Sequence, residues 1–235
     1  HIRALVSRAY TRGITETLRQ KGPQGALDLL HRAEELDPTN PEVYFVVAYF
    51  AQKAGNLEEA DANYRRSLEL EPTNSAINNN LAMLYESMGA TDHAEIHLLE
   101  QLHLAPWKRS VYLSLAGFYR RREKYQKAAQ FYKVLTSRFS GYAEDHERLG
   151  VIYQKLGNEE AAEAAYLKAV EINSTNQRIY LLLARLHRSQ DRIKEMVDAC
   201  LELVAINANN LQAHKLLAYG FRHMGKHQQA SKHAR

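Results

Sequence analysis

The sequence predicts an all-α fold, an array of antiparallel helical hairpins stacked one on the next. The first observation is a series of small residues in steps of 34: Ala48, Ala82, Ala116, Gly150, Ala184 and Ala218. A second series runs in the same register through Ala26, Ala60, Ala94, Ala128, Ala162 and Ala230, interrupted at Met196. Two helices pack closely only where a small side chain lets one bed onto the other. The third observation is a matching series of rings, Tyr85, Tyr119, Tyr153, His187 and Phe221, which fill the remaining volume.

Residues 143–176 show the unit most clearly. Leu149, Ile152, Tyr153 and Leu156 make one apolar stripe at helical spacing, and Ala162, Tyr166, Ala169 and Ile172 make a second. Gly157 breaks the first helix, and Asn158 can cap the next by accepting from its free backbone N–H groups. Glu159 and Glu160 place negative charge on the positive end of that helix.

Taken in order, residues 1–6 are an N-terminal extension. Residues 7–40 are a divergent first repeat with a basic opening helix. Gly13 and the run Lys21-Gly22-Pro23-Gln24-Gly25 should end that helix early, and a second helix should run from about Ala26 to Leu36. Pro38 stops it, Asn40 caps, and Pro41 suits the first helical position. Residues 41–74 close on Glu71-Pro72-Thr73-Asn74. Residues 75–108 open with Asn78-Asn79-Asn80 and close at Ala105-Pro106-Trp107. Residues 109–142 replace the usual Gly turn with Arg122-Glu123-Lys124 and end on Ser140-Gly141. Asn40, Asn74, Asn176 and Asn210 mark one recurring loop, with Lys108 and Tyr142 at the other two steps. Residues 177–210 place Met196 and Cys200 where a small residue and a ring are expected, which predicts looser packing. Residues 211–235 are a truncated seventh unit. Leu216, Leu217 and Phe221 would there lack a covering helix, which predicts self-association through that end. The chain begins at His1 and stops at Arg235 inside a helix, without the polar caps a stack needs. It therefore reads as a piece of a longer polypeptide.

The pattern resembles the tetratricopeptide repeat (TPR) family, whose 34-residue signature is W-x2-L-G-x2-Y, then A-x3-F, then P. The matching residues are Leu149-Gly150-x-x-Tyr153 with Ala162 and Tyr166, and Tyr44 with Ala60, Tyr64 and Pro72. The resemblance covers residues 7–235. It implies a right-handed α-solenoid of stacked antiparallel helical hairpins, the TPR superhelix, whose concave groove is lined by the first helix of each hairpin. Carried over position by position, it implies a peptide-binding groove of Phe45, Tyr49, Gln52, Asn79, Asn80, Met83 and Leu113, continuing through Arg120, Arg121, Lys155, Leu181, Arg185, Arg188, Tyr219 and Arg222. Phe45, Tyr49 and Met83 put apolar bulk where packing between hairpins does not call for it. The arginines and Lys155 read as a basic floor. The chaperone-tail clamp and the asparagine ladder known in some family members are not matched here beyond Asn80.

Charge is distributed unevenly. Residues 41–108 carry 4 basic and 10 acidic side chains, residues 109–142 carry 8 and 1, and residues 211–235 carry 5 and 0. The expected partner is therefore a protein or peptide segment with apolar anchors toward Phe45 and Tyr49 and acidic residues toward the arginines. The acidic repeats, and the lack of stacking aromatics among the arginines, argue against nucleic acid despite a pI near 9.0.

The chain has 235 residues, 45% hydrophobic and 25% charged, the composition of a globular protein. No apolar run approaches the roughly 20 residues needed to span a bilayer. The single cysteine, Cys200, excludes an internal disulfide and reads as a core residue. There is no phosphate-cradling Gly-rich loop, no G-x-S-x-G and no H-E-x-x-H. His93 and His97 have i,i+4 spacing and Glu100 lies one turn on, but a metal site needs more ligands, so both histidines read as solvated surface residues. His146, His187 and His214 stand at ring positions and read as packing residues. No cofactor, metal or catalytic residue is expected. The function predicted is a non-catalytic interaction scaffold. The alternative is the assembly or substrate-recruiting region of a larger secretion, polysaccharide-export or transferase protein.

Overall fold

The computed structural model describes Gly13, Leu30 and residues 32–234. These fall into two compact units that divide between Leu115 and Ala116. The first holds α1 (Pro41–Ala54), α2 (Leu57–Leu70), α3 (Ser75–Ser87) and α4 (Thr91–Leu104). Helix α5 (Arg109–Arg121) begins in the first unit and ends in the second. The second unit continues with α6 (Tyr125–Arg138), α7 (Ala143–Lys155), α8 (Glu159–Ile172), α9 (Gln177–Ser189), α10 (Ile193–Ile206), α11 (Leu211–His223) and α12 (His227–His233). The fold class is the predicted one: all-α, with sequence neighbours packed as hairpins and each hairpin stacked on the next within its unit. Residues 1–6 and the Lys21–Gly25 run lie outside the described residues; Gly13 is itself helical.

Local signals set the helix boundaries. The side chains of Asn40, Asn74, Asn176 and Asn210 accept from Glu42, Ala76, Arg178 and Ala213 backbone N–H groups at 2.9–3.1 Å. Asn158 does the same for Ala161 at 3.1 Å. Each bond satisfies a donor that the helix itself leaves unpaired. The turn inside each hairpin needs one left-handed residue. Gly55, Gly89, Gly157 and Gly225 supply it with φ of 70–86°, while Glu123 and Asp191 adopt φ of 56° and 57° at the equivalent steps. A side chain in that region carries a steric cost that glycine avoids.

Packing follows the small-residue register. In the first unit Ala48, Ala60 and Tyr64 are fully buried, and Leu30, Ala33 and Val43 form a core with Val46, Val47 and Phe50 against it. In the second unit Ala162, Tyr166, Ala169, Ile179, Leu183 and Leu186 share one core. Gly150 approaches Tyr166 so closely that a Cβ there would lie 2.5 Å from the ring.

Two expectations about the sixth and seventh repeats are overturned. Met196 and Cys200 are both fully buried, so the packing is not loose. Gly220 on α11 makes the room: a Cβ on it would meet Val197 Cγ2 at 2.4 Å and Met196 Cε at 2.7 Å. Leu216, Leu217 and Phe221 are 8, 0 and 6% exposed rather than uncovered. Helix α12 folds back over them, with Ala230 buried and the His233 ring stacked 5.7 Å from Phe221. The apolar end surface expected to join two chains is therefore occupied by the chain's own helix. Burial also pushes the Cys200 thiol up to about 12. No helix among the described residues is long and apolar enough to cross a membrane.

Candidate functional site

Every residue of the predicted groove lies on the first helix of a hairpin: α1, α3 and α5 in the first unit, and α5, α7, α9 and α11 in the second. Arg120, Arg121, Lys155, Arg188 and Arg222 fall in the last turns of their helices. Positive charge there complements the partial negative charge of the helix end, which gives the basic series a structural cause as well.

In the first unit, Phe45 departs from expectation. It packs edge-on against Tyr64, ring centroids 5.7 Å apart, so its bulk is used inside its own hairpin. It also edges a cavity of about 210 Å³ with Pro41, Ser67 and Asn74. Tyr49 and Met83 do project, at 41 and 54% exposure. Tyr49 rests on Phe50 and carries the Lys53 ammonium 5.5 Å from its ring centroid. Gln52 accepts from the buried Tyr64 hydroxyl at 3.2 Å, and burial pushes that phenol up to about 12. The same pairing recurs one unit on, where Tyr166 donates to Gln154 at 2.6 Å. Asn79 bonds Ser114 at 3.0 Å and reaches the Met83 sulfur at 3.7 Å. Asn80 is turned onto its own helix, donating to the Ala76 carbonyl. Leu113 is half-buried.

In the second unit, Arg185 donates to Gln212 at 3.0 Å, and the Arg188 guanidinium lies 4.6 Å over the Tyr219 ring. These contacts bring Arg185, Arg188 and Tyr219 together across α9 and α11. Among the described residues, none of Arg185, Arg188, Lys215 and Arg222 has a carboxylate within ion-pair distance. Lys155 is exposed, and Leu181 is partly buried against the core. Arg120 belongs to a different cluster, which the sequence did not disclose. Asp145 is fully buried and pairs with Arg148 Nη1 at 3.1 Å. Glu147, only 6% exposed, forms an ion pair with Arg178 Nε at 3.0 Å. Arg120 and the buried Tyr132 face one cavity. Arg120, Tyr132, Glu147, Arg148 and Arg178, with Val151 and Glu144, line this cavity of about 240 Å³. The Asp145–Arg148 spacing was legible as an i,i+3 pair. Tyr132 comes from a second helix and left no sequence signal of its role.

The histidines are more engaged than surface residues. His97 Nδ1 lies 2.9 Å from Asn78 Oδ1, and its ring stacks on Tyr85 at 5.4 Å. Burial first, and then the Arg65 charge, lower its pKa. The Tyr85 hydroxyl in turn donates to Asp61 and accepts from Arg65. His187 is buried with Nε2 at 3.9 Å from Glu163, and burial lowers its pKa as well. Arg192 grips Glu163 with two hydrogen bonds, which hold that carboxyl below the usual range. Among the described residues, no three His, Cys, Asp or Glu side chains are grouped as metal ligands.

Comparison with known proteins bears on this architecture. One family model described as tetratricopeptide repeat matches residues 41–74 and 146–176, and a second with the same description matches residues 63–96. No curated protein matches the sequence. Among solved structures, the chain is similar to the C-terminal part of a TPR repeat-containing protein from Cytophaga hutchinsonii, with a TM-score of 0.79 and 15% identity over 95% of this chain and 93% of that one. It is similar to PilW, a type IV pilus biogenesis factor, with a TM-score of 0.65 and 16% identity over 90% of this chain and 98% of the other. It is also similar to YrrB, a TPR protein with an unusual peptide-binding site, with a TM-score of 0.61 and 14% identity over 78 and 95% of the two chains. At these identities the likeness is one of fold.

Proposed function

We propose that this chain, which belongs to the tetratricopeptide repeat family, is a non-catalytic scaffold holding a partner protein's segment on the first helices of its hairpins. We read it as repeats at 7–40, 41–74, 75–108, 109–142, 143–176 and 177–210, with a seventh begun at 211–235. The observation that supports the functional reading is the exposure of large apolar and basic side chains on the first helices, beyond the local contacts they make. Tyr49 and Met83 project from the first unit, and Arg185, Arg188 and Arg222 in the second have no carboxylate within ion-pair distance among the described residues. Aromatic and arginine side chains are the types that dominate binding energy at interfaces. The partner segment accordingly carries apolar anchors for Tyr49 and Met83, and acidic residues for the arginines.

The test is affinity capture with the whole chain beside two variants, Tyr49→Ala with Met83→Ala, and Arg185→Glu with Arg188→Glu. A partner retained by the parent and lost from either folded variant supports the reading. A partner that binds all three equally overturns it and moves the function to the second helices. The likeness to PilW favours a second reading, in which the array is the assembly or recruiting arm of a larger secretion-type machine. Co-purification of a multi-subunit complex, in place of a single partner, would select that one.

A further inference from the structure

We infer that the cavity between α5, α6, α7 and α9 is a socket for one carboxylate of the partner segment, which rests on the scaffold reading above and deepens it. A guanidinium offers five N–H donors. Arg148 commits Nη1 to Asp145, and Arg178 commits Nε to Glu147. Arg120 lines the cavity beside the buried Tyr132. Arg148 and Arg178 are thus each anchored by an acid set in the protein, and with Arg120 they line the same space of about 240 Å³. The anchors are buried, Asp145 at 0% and Glu147 at 6% exposure, while Arg120 and Arg178 are exposed.

That arrangement is a preorganised donor set. The buried acids fix two of the guanidiniums and offset the cost of crowding three like charges. The donors they leave over are ready for charge-assisted hydrogen bonds to a planar anion. Val151 supplies an apolar wall that fits the methylene next to a carboxylate. Glu144, exposed in the cavity lining, opposes the anion and sets a ceiling on its affinity. The carboxylate can come from an aspartate or glutamate side chain or from a chain end, since both present the same oxygens.

The experiment follows the arginine side-chain N–H signals of the ¹⁵N-labelled whole chain by NMR during three titrations. N-acetylglutamate α-methylamide carries only a side-chain carboxylate, N-acetylalanine only a chain end, and N-acetylglutamine α-methylamide neither. Saturable shifts at Arg120, Arg148 and Arg178 with either acid, absent with the glutamine probe, support the socket, and the stronger acid names the source. Arg120→Gln should weaken the response about tenfold, the loss of one hydrogen bond to a charged group. Glu144→Gln should strengthen it several-fold. Arg120→Gln keeps the test open should a substitution at Arg178 unfold the chain by stranding Glu147. Equal shifts with the neutral probe, shifts centred on Arg185 and Arg188, or no saturable shift overturn the socket. The scaffold reading stands or falls separately, on the Arg185 and Arg188 variants.

Discussion

In the hairpin of α7 and α8, a ring fills the contact and Gly150 on the facing helix gives way to Tyr166. One repeat later, in the hairpin of α9 and α10, Met196 and Cys200 stand where Ala162 and Tyr166 stood. Bulk has moved from one step of the repeat to another. The relief has moved with it, to Gly220 on the following helix. Both contacts are fully buried. What the repeat conserves is the summed volume at a helix contact, which close packing enforces, and not the residue at any one step.

The largest way to break this equivalence is Met196→Ala, which should cost about 3 kcal/mol through the cavity it opens. Loss of hydrogen-exchange protection confined to α9, α10 and α11 is the readout. In that background Gly220→Ala should cost little, because its new methyl enters vacated space. On the parent the same change should cost about 1–2 kcal/mol. Equal costs in both backgrounds would mean that the two residues are not coupled. Next comes Gly150→Ala, expected to lose about 2 kcal/mol, since the buried Tyr166 ring cannot swing aside.

A smaller difference lies in the turns. Gly157 closes the first of these hairpins, and Asp191, at φ 57°, closes the second. Asp191→Gly should stabilise by about 1 kcal/mol, and Gly157→Asp should reverse that sign. Chemical unfolding of both variants decides it.

The last contrast is one of pH. His187 occupies the step that Tyr153 holds one repeat earlier. Its pKa is lowered chiefly by burial, with Arg192 adding to this, while Glu163 and Glu195 pull the other way. The unfolded chain therefore binds the proton more readily than the folded one. The stability that neutral His187 contributes is complete above its unfolded pKa of about 6.5 and is lost as pH falls below that, through the lower folded value. His187→Tyr should flatten this part of the stability profile between neutral and mildly acidic pH. An unchanged slope would assign the effect to His97, His146 or His233, whose values are lowered too.

The fold was legible because its signals are local and repeated. The Asn caps, the turn position and the two small-residue series each recur at one spacing, and the structure uses them as read. The candidate site was legible only in part. Position within the repeat puts Tyr49, Met83, Arg185 and Arg188 on the first helices, where all four are exposed. It could not tell that Phe45 turns onto Tyr64, or that Glu147 turns inward to meet Arg178. Those outcomes depend on rotamers and on residues 19–31 positions away in the chain, which a periodic pattern does not encode. The looser packing expected at Met196 failed for a related reason, because its compensation sits in the next repeat.

Cys200 gives the molecule a clock of its own. A thiol that is fully buried and held almost entirely protonated reacts with alkylating or disulfide reagents only while the surrounding helices part. Because it is the sole cysteine, the rate of that reaction times the opening of the helices around α10, with no substitution needed to place the probe. A partner that braces the neighbouring hairpins will slow the clock, and one that pries them apart will quicken it.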